Sequence, residues 1–133
     1  MEMSFRKHFW KPQRGHKYNA QSTYYDGIKF DSKFECKYYQ DLLWKQKAGE
    51  IAKIEVHYKL ELKVNGIKIC NYAIDFRVTN SDGSVTYIET KGVETYDWRI
   101  KWNLFMALLP EIDPGAEAMV VKESQSKKFA PRK

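Results

Sequence analysis

Between residues 54 and 91 the apolar side chains fall on alternate positions, and the alternation is broken twice by short glycine-bearing segments. Ile54, Val56, Tyr58, Leu60 and Leu62 alternate with Glu55, His57, Lys59 and Glu61, the period of a half-buried strand. Asn65-Gly66 is a strong hairpin signal. It leads into a second strand over 67–79, with Cys70, Tyr72, Ile74, Phe76 and Val78 on one face and Asn71, Asp75 and Arg77 on the other. Ser81-Asp82-Gly83 ends that run, and a third strand over 85–91 aligns Val85, Tyr87, Glu89 and Lys91 on one face. An antiparallel meander of three strands is the frame around which the rest of the chain must fold.

The length of the second turn decides which residues meet. A three-residue loop with Gly83 in the left-handed conformation sets Asn80 against Ser84, Arg77 against Tyr87 and Asp75 against Glu89. A two-residue loop would pair Asp75 with Ile88 and send the two acids to opposite faces. Like charges directly opposed across a sheet are destabilising unless something positive lies between them. With Lys91 two residues beyond Glu89 on the same face, a divalent cation is the expected answer.

Two helices flank this frame. Tyr25-Asp26-Gly27-Ile28 signals a small hairpin. Ser32 is then a good N-cap with Glu35 three residues on, and Phe34, Tyr38, Tyr39, Leu42 and Leu43 recur at helical spacing up to Gly49, which predicts a helix over 32–48. A second helix is expected over 97–109, stopped by Pro110. Trp98, Trp102, Phe105 and Leu109 line one side of it and Ile100, Leu104 and Leu108 nearly the opposite side, so its second side needs a partner: the first helix or another subunit. Residues 118–121 read as a short buried strand, and a strand, helix, strand crossover is parallel and right-handed. The fold class is α/β with a mixed sheet (α+β in its meander) flanked by helices.

A chain of 133 residues, 43% hydrophobic and 15% aromatic, is a one-domain globular composition. No stretch approaches the roughly 20 apolar residues of a membrane span, and the first residues lack the apolar run of a secretory signal, so no membrane association and a soluble, cytoplasmic protein are expected. Cys36 and Cys70 are too few and too far apart for a disulfide framework or zinc knuckle. The net charge of +6 sits in the termini: residues 1–24 carry +4, through Arg6, Lys7, Lys11, Arg14 and Lys17, and residues 122–133 another +4, around a body of 25–121 that is slightly acidic. Basic arms suggest a polyanion partner, since each neutralised phosphate releases a counterion. Phe5, Phe9 and Trp10 interleave with the first arm's charges and could stack on bases or dock on a neighbouring subunit.

A helix bearing Glu35, a strand bearing Ile74-Asp75, a strand bearing Glu89-Thr90-Lys91, a helix and a strand together resemble the restriction-endonuclease-like core of the PD-(D/E)xK nuclease superfamily. The segments Tyr25-Asp26-Gly27-Ile28-Lys29-Phe30-Asp31-Ser32-Lys33-Phe34-Glu35, Gln46-Lys47-Ala48-Gly49-Glu50-Ile51 and Glu89-Thr90-Lys91-Gly92 are further similar to a phage-encoded family long catalogued as a domain of unknown function, some members of which are considered Holliday-junction resolvases. Ile74 stands where the superfamily has proline, and Cys36 follows the helical acid where alanine is expected; neither removes a functional group. The resemblance implies a Mg²⁺-dependent DNA endonuclease, with Mn²⁺ able to substitute, that resolves branched DNA as a homodimer in the host-cell cytoplasm. Asp75, Glu89 and the backbone carbonyl of Thr90 would bind the metal. Glu35 would bind the metal through water or fix a second ion, and Lys91 would hold the attacking water or stabilise developing charge. Arg6, Lys7, Lys11, Arg14, Lys17, Arg99 and Lys101 would contact DNA.

Each residue also has a plainer role. Glu35 could close a capping box with Ser32, Asp75 and Glu89 could be exposed strand carboxylates, and Lys91, Arg99 and Lys101 could face solvent. His8, His16 and His57 have no ligand spacing, and His57 reads as an exposed side chain on a polar face. The activity alternatives are a nuclease for flaps, single strands or a specific duplex site, and a non-catalytic DNA-binding accessory protein.

Overall fold

The computed structural model describes residues 22–123. The chain runs β1 (Thr23–Tyr25), β2 (Ile28–Phe30), α1 (Lys33–Lys47), β3 (Ile51–Val64), β4 (Ile67–Asn80), β5 (Val85–Lys91), α2 (Tyr96–Ile112) and β6 (Glu117–Lys122). β1 and β2 form a small hairpin, and β3-β4-β5-β6 form one four-stranded mixed sheet in that order. The first three strands are antiparallel neighbours and β6 lies parallel to β5. Among the described residues no helix is long and apolar enough to cross a membrane.

Both turns take the geometry their chemistry requires, and a shift between Leu62 and Lys63 offsets the β3–β4 register beyond the first of them. Asn65 and Gly66 both take positive φ, 53° and 80°, which is what a two-residue hairpin turn matching strand twist demands. The second turn has three residues: Gly83 sits at φ 91°, the Asn80 N–H bonds the Ser84 carbonyl at 2.8 Å, and Arg77 faces Tyr87. α1 begins at Ser32, whose hydroxyl accepts the Glu35 N–H at 3.1 Å, and α2 begins at Thr95, which does the same for Trp98 at 3.2 Å.

The structure departs from the sequence pattern in four places. β3 begins at Ile51 rather than Ile54, because a register shift between Ile51 and Lys53 hides its first residues from a period-two reading. α2 continues through Pro110 to Ile112. Proline removes one backbone bond and crowds the carbonyl four residues back, but it lies in the last turn, which the Asp113 N–H on the Leu109 carbonyl holds at 2.9 Å. Leu104 and Leu108 pack with Trp98 and Trp102 on the same core, so of the helix's second side only Ile100 is left half exposed.

The fourth difference shapes the site. The apolar face expected to be continuous along β4 is divided between two cores. Phe76 and Val78 join Phe30, Tyr39, Leu42 and Ile88 under α1, whereas Tyr72 and Ile74 join Leu62, Tyr87, Phe105 and Leu109 under α2. On β3 the change falls between Val56, which packs with the first core, and Tyr58, which packs with the second. Residues two apart share a face only while the pleat is regular. Here His57, between them, has φ 54°, and the pairs Val56 with Phe76 and Tyr58 with Ile74 bracket it. The seam between the two cores therefore passes through His57 and Asp75.

The second core is locked by a polar knot. Arg77 donates to Glu55 at 2.7 Å, to Asp113 at 3.2 Å and to the Tyr87 hydroxyl at 3.0 Å, and Tyr87 donates to Asp113 at 2.8 Å. The guanidinium also lies over the rings of Tyr58 and Tyr87. One side chain thus joins β3, β4, β5 and the end of α2.

Candidate functional site: an acid-lined cleft at the seam

Asp75 on β4, Glu89 on β5 and Glu35 on the first turn of α1 converge on the seam. The three-residue turn brings the two strand acids into opposition: the Asp75 N–H donates to Glu89 Oε1 at 3.2 Å. Asp75 Oδ2 accepts from both the N–H and the hydroxyl of Thr90, at 2.8 and 2.7 Å, and Thr90 is itself buried. Glu35 and Glu89 are buried, at 3% and 5% exposure, so neither is the solvated strand or helix carboxylate that its residue type favours. Glu35 Oε1 accepts the Asp31 N–H at 3.2 Å, a capping contact one residue away from the expected Ser32. Its Oε2 lies 2.9 Å from His57 Nε2. Glu35 thus takes part in capping and in the site at once.

These acids line an open cleft of about 890 Å³, together with Asn71, Tyr72, Lys91, Trp98 and Lys101. Lys91 Nζ stands 5.0 Å from the centroid of the Trp98 ring. The same indole donates to Glu89 Oε2 and to the Tyr72 hydroxyl, each at 3.1 Å. One residue of α2 therefore contacts both the acid and the amine of Glu89-Thr90-Lys91. Arg99 is engaged by Glu94 at 3.5 Å, while Lys101 is exposed at the cleft. Arg6, Lys7, Lys11, Arg14 and Lys17 lie outside the described residues.

Burial, with the charge of Asp75 second, pushes the carboxyls of Glu35 and Glu89 up to about 8. Asp75 is raised by burial as well, against the opposing pull of the Thr90 bonds and of Lys91. Burial and the crowding of like charges thus favour the protonated form of Glu35 and Glu89. Among the described residues no group of three or more His, Cys, Asp or Glu stands in a ready metal-ligating arrangement. Asp75, Glu89 and Glu35 are the oxygen donors a cation would draw on.

Two outcomes follow from this geometry. Because the folded state holds protons on Glu35 and Glu89 that the unfolded chain releases near 4.5, their contribution to stability is fully present below about pH 4.5 and is lost as pH rises through about 8. With chelator present, the thermal midpoint is lower at pH 9 than at pH 6; a midpoint that holds or climbs across that interval contradicts the assignment. Trp98→Phe leaves Glu89 Oε2 without its indole donor while keeping a ring under Lys91. Urea unfolding should show a loss of about 1–3 kcal/mol, the cost of orphaning a buried polar atom.

Sequence reasoning set aside His57, which is only half exposed and bonded to Glu35. It also treated Trp98 as core alone. Nothing in a period-two pattern marks a residue that breaks the pleat, and the Trp98 contacts depend on how α2 docks.

Fold and cleft define a mixed α/β protein with a buried carboxyl cluster at the junction of a central antiparallel strand pair and a helix N-terminus. Over residues 15–125 the chain matches the family described as Protein of unknown function (DUF1064), and it belongs to that family. No curated protein and no solved structure matches it.

Proposed function

We propose that this protein is a divalent-metal-dependent DNA endonuclease with a restriction-endonuclease-like core, and that it resolves branched DNA as a homodimer. The observation that carries the reading is the meeting of two buried carboxyls, Glu35 and Glu89, with the half-buried Asp75 beside Lys91 in an open cleft. Crowding three acids together is costly in every state except protonation or neutralisation by a cation. Their donor set, all carboxylate oxygen, suits a hard ion such as Mg²⁺, with Mn²⁺ as a substitute. Asp75, Glu89 and the Thr90 carbonyl would hold it, with Glu35 joining directly or through water. When bound, the ion lowers the pKa of its water and offsets charge on the phosphate.

The chain's own groups divide the remaining work. The two Thr90 bonds fix Asp75, and the Trp98 indole fixes Glu89, so the ligands are oriented before any ion arrives. Lys91, held over the Trp98 ring, places an ammonium at the cleft where it can hold a water or a phosphate oxygen. Lys101 and the basic arms would engage the DNA backbone. A homodimer would set two clefts on opposed strands of a junction.

The test offers the purified protein a four-way junction, a flap, a duplex and single strands, each with Mg²⁺ and with chelator. Paired, symmetrical nicking confined to the junction and abolished by chelator is the expected result. Degradation of all four substrates refutes junction resolution, cutting of one other structure favours a nuclease of that specificity, and binding without cutting makes the protein an accessory factor.

A further inference from the structure

Among the described residues, three that are not glycine have positive φ: Asp26 and Asn65, each in a hairpin turn, and His57, in the interior of β3. A left-handed residue inside a strand is strained, and persists only where its surroundings hold it. The backbone at 57 has a directional effect. In an unbroken pleat His57 would point to the face opposite Val56, away from the α1 core to which Val56 belongs. Instead its ring lies 5.8 Å from the Phe30 ring of that core, and Nε2 reaches Glu35 Oε2 at 2.9 Å. Glu35 and Asp75 line the cleft, whereas His57 is not among its lining residues. Its neighbours Val56 and Tyr58 pair with Phe76 and Ile74, the neighbours of Asp75.

We propose, on the nuclease reading of the cleft, that His57 is a positioning residue whose strained backbone aims its ring to hold the Glu35 carboxyl beside Asp75. Glu35 enters from a helix while Asp75 and Glu89 enter from paired strands. The strand pairing fixes the second and third acids relative to each other but not the first. A bond from β3 to Glu35 supplies the missing constraint, tying the helix-borne acid to the sheet that carries the other two. The role resembles that of outer hydrogen-bond partners, whose loss costs roughly 10–100-fold in metal affinity or activity.

Three variants separate the bond from the strain. His57→Gln keeps a nitrogen at the reach of Nε2, His57→Ala removes it, and His57→Gly removes it while relieving the left-handed backbone. Each is tested as the full chain for the rise in thermal midpoint on adding Mg²⁺, and for cleavage of a four-way junction at saturating Mg²⁺ below the lowest midpoint. The expected result is a smaller Mg²⁺-induced rise and roughly 10–100-fold slower cleavage for His57→Ala and His57→Gly alike, with His57→Gln within a few fold of wild type. His57→Gly melts above His57→Ala, which keeps a folded variant available for the comparison. Ala and Gly variants that match wild type in both readouts overturn the role of His57 alone, as does a Gln variant no better than Ala. A wild-type protein that gains no midpoint with Mg²⁺ and cuts no DNA overturns the nuclease reading, and this role with it.

Discussion

Asp75→Asn is expected to lose Mg²⁺-dependent cleavage of branched DNA by at least roughly 10²–10³-fold, the scale of removing one preorganised electrostatic group. It should bind the same DNA within a few fold of wild type, because the cationic groups that would meet the backbone are untouched. The amide keeps an oxygen to accept from Thr90, so β4 and β5 retain their register. With chelator present the variant should melt higher than wild type at pH 8, since one of three crowded acids no longer ionises. Lost cleavage with gained stability is the signature of a cluster kept for chemistry rather than for folding. Cleavage at the wild-type rate, or wild-type cleavage that persists in chelator, would remove Asp75 from the site.

Arg77→Met should produce the largest loss of stability. Methionine fills much of the same volume, but Asp113 loses its cation, Glu55 keeps only the more distant Lys53 at 3.7 Å, and the Tyr87 hydroxyl loses its donor. Breaking a fully buried ion pair costs 3–5 kcal/mol. The three charged partners here are 21–27% exposed, so solvent screening reduces that to roughly 2–4 kcal/mol. For a domain of this size the thermal midpoint should fall by roughly 10–20 °C. Asp113→Asn removes one strand of the same knot and should cost less, with the double variant less destabilised than the two losses added. A drop under about 3 °C for Arg77→Met would mean that the knot is ornamental.

Much of this molecule was legible in its sequence because turn chemistry converts directly into register. Ser81-Asp82-Gly83 is short enough that its length fixes which residues oppose across β4 and β5, which sets Asp75 against Glu89, whereas the shift between Leu62 and Lys63 leaves the β3–β4 register beyond what Asn65-Gly66 alone dictates. Ser32 and Gly49 bracketed α1 for similar local reasons. The unread parts are non-local or break a period silently. Arg77 and Asp113 are 36 residues apart, and no local pattern joins them. His57 occupies a position where the alternation of side-chain type continues unbroken while the backbone does not, and no glycine or asparagine marks the kink. Pro110 signalled a helix end that packing and a further backbone bond overrode. Burial of Glu35 came from its neighbours on β3 and β4, since a carboxyl in a capping position is ordinarily wet.

The division of the sheet between two helices also makes this pocket adjustable in halves. Changes beneath the first helix would retune the acid it carries, and changes beneath the second would retune the indole and amine, with the strand acid at the boundary serving as a common datum.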